Sequence, residues 1–188
     1  MSSSISTNTV SFLLPSDLQA RAKHIKLLLL DVDGVLTDGR LYFSNQGDEF
    51  KTFSTLDGHG IKMLQKSGVR VGIITGRTSN LVTKRAADLG IKILVQGRED
   101  KWHALQEILS SHPLSLEEIA FMGDDWPDLT VMSRVGLALT PANGHHSVVE
   151  RSHWQSQARG GEGAVREACD MIMKAQNTFD QLLESYLG

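Results

Sequence analysis

The amino-acid sequence predicts an α/β fold, in which a doubly wound parallel sheet carries helices on both faces and a β-hairpin follows the first strand. Three observations predict it. The stretch KLLLLD, which ends at Asp31, is a continuous apolar run of strand length, typical of a parallel strand covered on both faces. Strand-like and helix-like segments alternate after it. The chain has 188 residues, 40% of them hydrophobic, which is enough to close a full core.

A hairpin follows the first strand because RLYF and EFKTF flank SNQGD, whose Asn and Gly favour a turn. The predicted elements that come next are, in order, the helix GIKMLQKSG, the strand VRVGIIT, the helix TSNLVTKRAADLG, the strand IKILVQ, the helix DKWHALQEILSSH, the strand in EEIAFMG, the helix WPDLTVMSRVG and the strand GLALT. Gly68 and Gly90 end the first two of these helices. The segment GAVREACDMIMKAQNTFDQLLESYL is predicted to form one long amphipathic helix.

One domain is expected over residues 16–188, after a loose Ser/Thr-rich segment over residues 1–15. The net charge of −3, mixed along the chain, argues against nucleic-acid and anionic-membrane partners. No apolar stretch approaches the length of a membrane span. The single cysteine, Cys169, excludes a disulfide within the chain and suits a reducing compartment, so we expect a cytoplasmic protein.

Polar residues stand just after the predicted strands, at the edge where parallel sheets bind ligands. Asp31 and Asp33 follow the first strand, and they point the same way because successive side chains on an extended segment alternate. TGR, Thr75 to Arg77, follows the second strand, and Lys101 follows the third after a short loop. GDDWPD, Gly123 to Asp128, follows the fourth. Four strand ends therefore bring carboxylates, a hydroxyl and two cations to one edge.

Carboxylates packed this closely are costly unless they are protonated or bind a cation. A hard ion such as Mg²⁺ uses few carboxylates and keeps places for water and phosphate oxygens. We therefore predict a Mg²⁺ site with direct ligands from Asp31 and Asp124, in which Lys101 offsets the remaining negative charge.

This set of groups is suited to phosphoryl transfer. One carboxylate beside the metal can attack phosphorus and form an aspartyl-phosphate, while its neighbour protonates the leaving alkoxide. The Thr75 hydroxyl and the Lys101 ammonium can hold the phosphoryl oxygens. Taken alone, DVDG is an ordinary turn and GDDWPD an N-capped helix. The four motifs together, each after an apolar strand, favour the catalytic interpretation.

From Lys26 to Arg151 the motifs resemble the haloacid dehalogenase superfamily of phosphohydrolases. The resemblance implies a doubly wound sheet of that type and a Mg²⁺-dependent reaction. It implies that Asp31 is the nucleophile and a metal ligand, and that Asp33 is the general acid and base, with its backbone carbonyl on the metal. It implies that Thr75 binds phosphate and that Lys101 supports the nucleophile and the phosphoryl group. Asp124 would be a further metal ligand, and Asp125 and Asp128 would have supporting roles nearby.

A narrower resemblance covers nearly the whole chain after its N-terminal segment. No cap domain is inserted, and DVDGVLTDG, DGHGI, TGR, GDDWPD and GGEGAVRE are similar to the family of 3-deoxy-D-manno-octulosonate 8-phosphate phosphatases, which act in lipopolysaccharide precursor synthesis. That family implies a homotetramer in which the hairpins assemble together. It also implies that the C-terminal tail of one subunit, including Arg159 to Glu167, helps to close a neighbour's site; alternatively, that stretch is a flexible loop leading into a helix.

The resemblance also implies a set of substrate contacts for a sugar acid phosphate. Arginines suit its carboxylate because guanidinium groups offer paired donors. The implied contacts are Asp33, Ser54, Thr55, Leu56, Asp57, Gly58, Lys62, Gly76, Arg77, Arg85, Lys101 and Asp125.

Two alternatives stay open at this point. Enzymes for nine-carbon sugar acid 9-phosphates carry Glu where Arg77 stands and Lys where Asp88 stands, and both charges are opposite here, which favours the eight-carbon substrate. Ser54 and Lys62, however, replace the Asn and Arg that the octulosonate family often has. The other alternative is a metal- and phosphate-binding module without turnover, which would have no need of a proton donor at Asp33.

Overall fold

The computed structural model describes residues 14–187. The expected loose segment over residues 1–15 therefore lies almost entirely outside the described residues. Leu14, at its end, packs against the hydrophobic core, and Pro15 precedes the first helix. The strands are β1 (Leu27–Leu30), β2 (Tyr42–Phe43), β3 (Glu49–Phe50), β4 (Arg70–Ile74), β5 (Ile93–Val95), β6 (Ile119–Met122), β7 (Leu137–Thr140) and β8 (Trp154–Gln155). The α-helices are α1 (Ser16–Lys23), α2 (Thr55–Lys66), α3 (Asn80–Asp88), α4 (Lys101–Ser111), α5 (Leu129–Met132), α6 (His146–Val149), α7 (Ala164–Ala175) and α8 (Phe179–Leu187).

Six strands form a parallel sheet in the order β5-β4-β1-β6-β7-β8. The first strand lies in the middle, where Leu30 is in register with Ile73 of β4 and Met122 of β6. Because all six strands run the same way, the residues that follow them meet at one edge of the sheet. The predicted doubly wound parallel sheet is confirmed.

The four leucines of β1 face two separate hydrophobic layers, and all four are fully buried. Leu28 and Leu30 belong to a core that includes residues of α1, α2, α3 and α7, whereas Leu27 and Leu29 belong to a core that includes residues of α4 and α5. This alternation explains why the strand is apolar at every position. A strand anchored in two cores holds the residues that follow it, Asp31 and Asp33, in a fixed place.

The predicted hairpin is present as the antiparallel pair β2–β3, with Tyr42 opposite Phe50 and Phe43 opposite Glu49. Its strands are shorter than the sequence suggested, and it forms a sheet of its own. Several of its apolar side chains are exposed in the single chain: Leu41, Tyr42, Phe43 and Phe50.

The C-terminal segment differs from prediction, since it forms two helices, not one. Helix α7 ends before Asn177, which has a φ of 57°. The Thr178 amide donates to the Met173 carbonyl and the Asn177 amide to the Lys174 carbonyl, the two bonds of a Schellman cap. Asparagine tolerates this left-handed conformation better than other residues with a Cβ, so the helix ends there. Strand β8 and helix α6 were not predicted, because both are very short.

Helix α7 packs into the core between α1 and α2, and eight of its residues are buried, including Cys169. Within the part of the chain that the structure describes, no helix is long and apolar enough to cross a membrane.

Candidate active site

An open cleft of about 660 Å³ lies beyond the carboxyl ends of the parallel strands. It brings together residues from all four predicted motifs. The residues that line it are Asp31, Asp33, Gly39, Thr75, Gly76, Arg77, Glu99, Lys101, Asp124, Asp125, Pro127 and Asp128. Among them, Glu99 lies outside every motif that the sequence analysis singled out.

Asp31 is held at the floor of this cleft and is only 7% exposed. Its backbone amide donates to the Met122 carbonyl of β6 at 3.0 Å, which continues the sheet by one residue. The Lys101 ammonium lies 2.8 Å from its Oδ1 atom. Lys101 is the first residue of α4, which is capped by the Asp100 side chain accepting from the His103 amide. The capped helix therefore fixes where the ammonium enters the site.

Lys101 also contacts Asp128 Oδ1 at 2.5 Å, so one buried cation bridges two buried carboxylates. Burial on its own would lower the pKa of Lys101, but the charges of Asp31 and Asp128 outweigh burial and raise it. Lys101 is therefore protonated at neutral pH. An uncompensated buried carboxylate would be far more costly than this arrangement.

The loop after β6 is folded around Asp128. The Oδ2 atom of Asp128 accepts hydrogen bonds from the backbone amides of Asp124 at 2.9 Å and Asp125 at 3.2 Å. A Cβ at Gly123 would lie 2.4 Å from Asp128 Cβ, so glycine is required for this close turn. Asp128 thus links two parts of the site, namely the loop that carries Asp124 and the side chain of Lys101, which contacts Asp31.

One carboxylate oxygen from each of Asp31, Asp124 and Asp128 lies within 4.8 Å of the others. Burial and the charges of Asp31 and Asp128 raise the pKa of Asp124 to about 8. Burial and Asp128 raise the pKa of Asp31 to about 6, against the opposing effect of Lys101. Burial is the larger cause of both shifts and repulsion between the carboxylates the smaller, and a bound cation would offset both by favouring the charged forms. The donor set, all carboxylate oxygen, fits Mg²⁺. Both oxygens of Asp128 are already held by Lys101 and two amides, whereas Asp31 contacts Lys101 through Oδ1 alone, so Asp31 and Asp124 are the better candidates for ligands.

Gly34 makes room for this cluster. It has a φ of +94°, and a Cβ there would lie 2.0 Å from Asp124 Oδ2. Glycine at position 34 therefore lets the turn after Asp33 pass closer to the Asp124 carboxylate than a residue with a Cβ would allow.

Asp33 lies beside Asp31 but has different neighbours. Its carboxylate is in ionic contact with Lys51 of the segment after β3 and with Arg77, whose Nε lies 3.6 Å from Asp33 Oδ2. Sequence reasoning missed Lys51. A signal was present, because Glu49 and Lys51 are two residues apart in an extended segment and so share one face, opposite the exposed Phe50.

Several predicted substrate contacts lie outside the cleft of their own chain. Ser54 caps α2, and its carbonyl accepts from Arg85, which also lies over the Phe53 ring. The others that do not line the cleft are Thr55, Leu56, Gly58 and Lys62, all on α2.

Asp57 links two helices of its own chain. It is 1% exposed, and its carboxylate accepts a hydrogen bond from the Arg166 amide at 2.8 Å, in the first turn of α7. A carboxylate at a helix N-terminus is stabilised there by the free amides. Its side chain therefore ties α2 to α7, and its contact with substrate stays a prediction.

The segment at Gly160 packs against the loop that follows β1 of its own chain. The Gly161 amide donates to the Val35 carbonyl at 3.0 Å, and a Cβ at Gly160 would lie 1.8 Å from the Gly34 carbonyl oxygen. Asn143 links the two turns, accepting from the Gly160 amide and donating to the Gly34 carbonyl. Within the chain, these glycines therefore support the loop that carries Asp33.

Comparison with known proteins agrees with this geometry. Residues 94–167 match the family model of the haloacid dehalogenase-like hydrolases. The 3-deoxy-D-manno-octulosonate 8-phosphate phosphatase of Escherichia coli BL21-DE3 is 43% identical over 166 residues, which is 88% of each chain.

Two solved structures of enzymes with that name are also similar. The one from Yersinia pestis is 43% identical with a TM-score of 0.87, over 89% of this chain and 90% of that one. The one from Moraxella catarrhalis was solved with magnesium, phosphate and the KDO molecule, and is 40% identical with a TM-score of 0.89, over 90% of this chain and 98% of that one. The chain described here belongs to the haloacid dehalogenase-like hydrolases and, among them, to the family of the 3-deoxy-D-manno-octulosonate 8-phosphate phosphatases.

Proposed function

We propose that the protein is a Mg²⁺-dependent phosphomonoesterase that converts 3-deoxy-D-manno-octulosonate 8-phosphate to the free sugar acid and phosphate, in lipopolysaccharide precursor synthesis. The observation that carries the proposal is the cleft in which Asp31, Asp124 and Lys101 converge, in a chain 43% identical to an enzyme of that name. Mg²⁺ bound by Asp31, Asp124 and the Asp33 carbonyl would supply positive charge that offsets the carboxylates and the phosphoryl oxygens.

Asp31 is the proposed nucleophile. Lys101 keeps the Asp31 carboxylate in one orientation and directs it towards the open side of the cleft. A carboxylate oxygen of Asp31 forms a bond to phosphorus as the bond from phosphorus to the sugar oxygen breaks. The Thr75 hydroxyl and Lys101 would hold the phosphoryl oxygens, since both line the cleft next to Asp31.

Asp33 is the proposed acid and base. It gives its proton to the departing sugar alkoxide, and then takes a proton from the water that attacks phosphorus and releases Asp31. Its position supports both steps, because it lines the same cleft as Asp31 and is more exposed, with 21% of its side chain accessible.

Selection of the sugar acid would depend on Gly76, Arg77 and Asp125, which line the cleft mouth. The other predicted contacts lie elsewhere on the chain, so we propose that they act only where subunits meet. They are Ser54, Thr55, Leu56, Gly58, Lys62 and Arg85.

A homotetramer built through the hairpins is consistent with the exposed Phe43 and Phe50, which are 60% and 56% exposed. Helix α8, with exposed Leu183 and Leu187, is the part of the tail available to a neighbour.

The assembly is tested by sedimentation of the wild-type chain and of the double variant Phe43→Glu with Phe50→Glu. We expect a tetramer for the first and smaller species for the second, while the control Gln106→Glu, an exposed residue on α4, stays tetrameric. An active wild-type monomer would refute the shared-site proposal.

A cytoplasmic location, which the single buried thiol of Cys169 suits, is part of the same proposal.

The function is tested by phosphate release from a panel of sugar phosphates, with Mg²⁺ and with a chelator. We expect the highest kcat/KM for the eight-carbon acid and loss of turnover on chelation. A higher kcat/KM for a nine-carbon sugar acid 9-phosphate would replace the proposed substrate. No hydrolysis of any compound, with metal binding retained, would support a binding module.

A further inference from the structure

Four side chains close a ring of alternating charge beside the cleft: Asp33, Lys51, Glu49 and Arg77. Lys51 contacts Asp33 Oδ1, and its Nζ lies 3.5 Å from Glu49 Oε1. The same Glu49 oxygen lies 2.6 Å from Arg77 Nη2, and Arg77 Nε lies 3.6 Å from Asp33 Oδ2. Each member therefore touches two partners of opposite charge.

Lys51 is the buried member of this ring. Its side chain is 2% exposed, compared with 21% for Asp33 and for Glu49 and 45% for Arg77. Burying an ammonium is costly unless ionised partners surround it. Asp33 and Glu49 are the partners in the described part of the chain, so the hairpin can only lie as it does while both carboxylates are in place.

The ring holds the Asp33 carboxylate at both oxygens. Oδ1 contacts Lys51 and Oδ2 faces Arg77, so rotation about the terminal side-chain bond is restricted. Arg77 is largely exposed and lines the cleft, where a substrate can compete for it, whereas Lys51 is shielded from solvent. Lys51 is thus the partner of Asp33 that a substrate in the cleft can reach less easily.

We propose that Lys51 and Glu49 are positioning residues for the reaction: Lys51 orients the Asp33 carboxylate for proton transfer, and Glu49 keeps Lys51 and Arg77 in the ring. The proposal rests on the proposed function, because it takes Asp33 as the acid and base. It gives the hairpin a task inside its own subunit, in addition to any contact with other subunits.

The test compares Lys51→Met, Lys51→Arg, Glu49→Gln and the control Lys66→Met, an exposed lysine at the end of α2. Turnover of the octulosonate 8-phosphate is measured in each, with the Mg²⁺-induced rise in Tm as an independent sign of an intact metal site. We expect Lys51→Met to lower kcat about 100-fold while KM changes less than about threefold, since acid–base catalysis contributes about 10²–10⁴-fold. Lys51→Arg should recover at least a tenth of the wild-type kcat, Glu49→Gln should lower kcat about tenfold, and the control should match the wild type.

A second substrate separates positioning of Asp33 from general damage. In single turnovers of p-nitrophenyl phosphate, the leaving group departs as a stable anion and needs no proton. Lys51→Met should therefore release nitrophenolate at a rate much closer to wild type than its rate with the sugar phosphate. Equal losses with both compounds, or a kcat within twofold of wild type, would overturn the proposal.

Two further outcomes are also decisive. If Lys51→Met fails to fold, Glu49→Gln decides: a lower kcat at constant KM supports the ring, and an unchanged kcat refutes its role. If the wild type itself releases no phosphate from the sugar acid, the proposed function fails first, and the variants are then compared on whichever phosphate ester the wild type hydrolyses.

Discussion

Lys101 and Asp128 form a buried ion pair, with 2.5 Å between Nζ and Oδ1, in which both side chains are at most 4% exposed. The other oxygen of Asp128 holds the amides of the loop that carries Asp124. One carboxylate therefore positions both the cation next to Asp31 and the loop of Asp124, the proposed metal ligand. Asp128 takes part through these contacts, which leaves the open side of the cluster to Asp31 and Asp124.

The first prediction concerns this pair. Asp128→Ala should lower the free energy of unfolding by about 1–3 kcal/mol, because it removes one of the two carboxylates that contact buried Lys101 and the acceptor of two loop amides. Asp128→Asn should cost less, since its amide oxygen can still accept from the backbone. Urea denaturation measures both, with Glu184→Gln, an exposed carboxylate on α8, as a control expected to stay within about 0.5 kcal/mol. A stable Asp128→Ala variant would contradict the role given to this pair.

The second prediction concerns pH and metal. The pKa values of Asp31 and Asp124, about 6 and about 8, lie above the ordinary 3.8. At these two carboxyls the metal-free folded state holds more protons than the unfolded chain between about pH 4 and 8, so their contribution to stability should fall as pH rises through that range. Protons compete with the ion, so Mg²⁺ should bind more tightly at pH 8 than at pH 6.

Thermal unfolding at pH 6 and pH 8, with and without Mg²⁺, measures this dependence. At pH 8, Mg²⁺ at about 100 times its Kd should raise Tm by about 5–10 °C. Asp124→Asn serves as the control, because it removes both the repulsion and a ligand: its metal-free form should be more stable than the wild type at pH 8 and should respond weakly to Mg²⁺. A larger response to Mg²⁺ at pH 6 would contradict the assignment.

The third prediction separates Asp31 from Asp33. Asp31→Asn should lower turnover to below about one-thousandth of wild type and form no phosphorylated enzyme, because the nucleophilic oxygen is lost. Asp33→Asn should lower turnover about 10²–10⁴-fold but keep its nucleophile. With p-nitrophenyl phosphate, whose leaving group needs no proton, mass spectrometry after rapid acid quench should therefore detect the added phosphoryl group in Asp33→Asn. Phosphorylation of Asp31→Asn would identify another nucleophile.

The positions of Asp31, Thr75, Lys101 and Asp124 were predictable because local pattern decides them: each follows a buried strand, and parallel strands end at one edge. Lys51 was not predicted, since its partner Asp33 is 18 residues away and depends on how the hairpin folds back. The partner of Asp57 was not predicted for the same reason, because the first turn of α7, 109 residues later, decides where its carboxylate lies. Sequence patterns predict which residues share a face of a helix or a strand. Contacts between elements that are distant in the sequence can be identified only from the folded structure.

The last prediction concerns the C-terminus. A chain that ends before Gly160 should not fold, because it lacks α7, whose buried residues complete one core layer and whose first turn binds Asp57. A chain that ends at Thr178 keeps α7 and its cap, and it loses α8, in which no residue is buried. This shorter deletion should leave a folded protein that retains its Mg²⁺-induced rise in Tm.

If α8 helps to close a neighbour's site, the deletion should lower kcat/KM for the sugar acid phosphate. Single turnovers of p-nitrophenyl phosphate should change little, because that ester has no sugar acid to select. Circular dichroism establishes folding, and the two kinetic assays decide the role of α8. Unchanged selectivity across the sugar phosphate panel would show that α8 takes no part in the site.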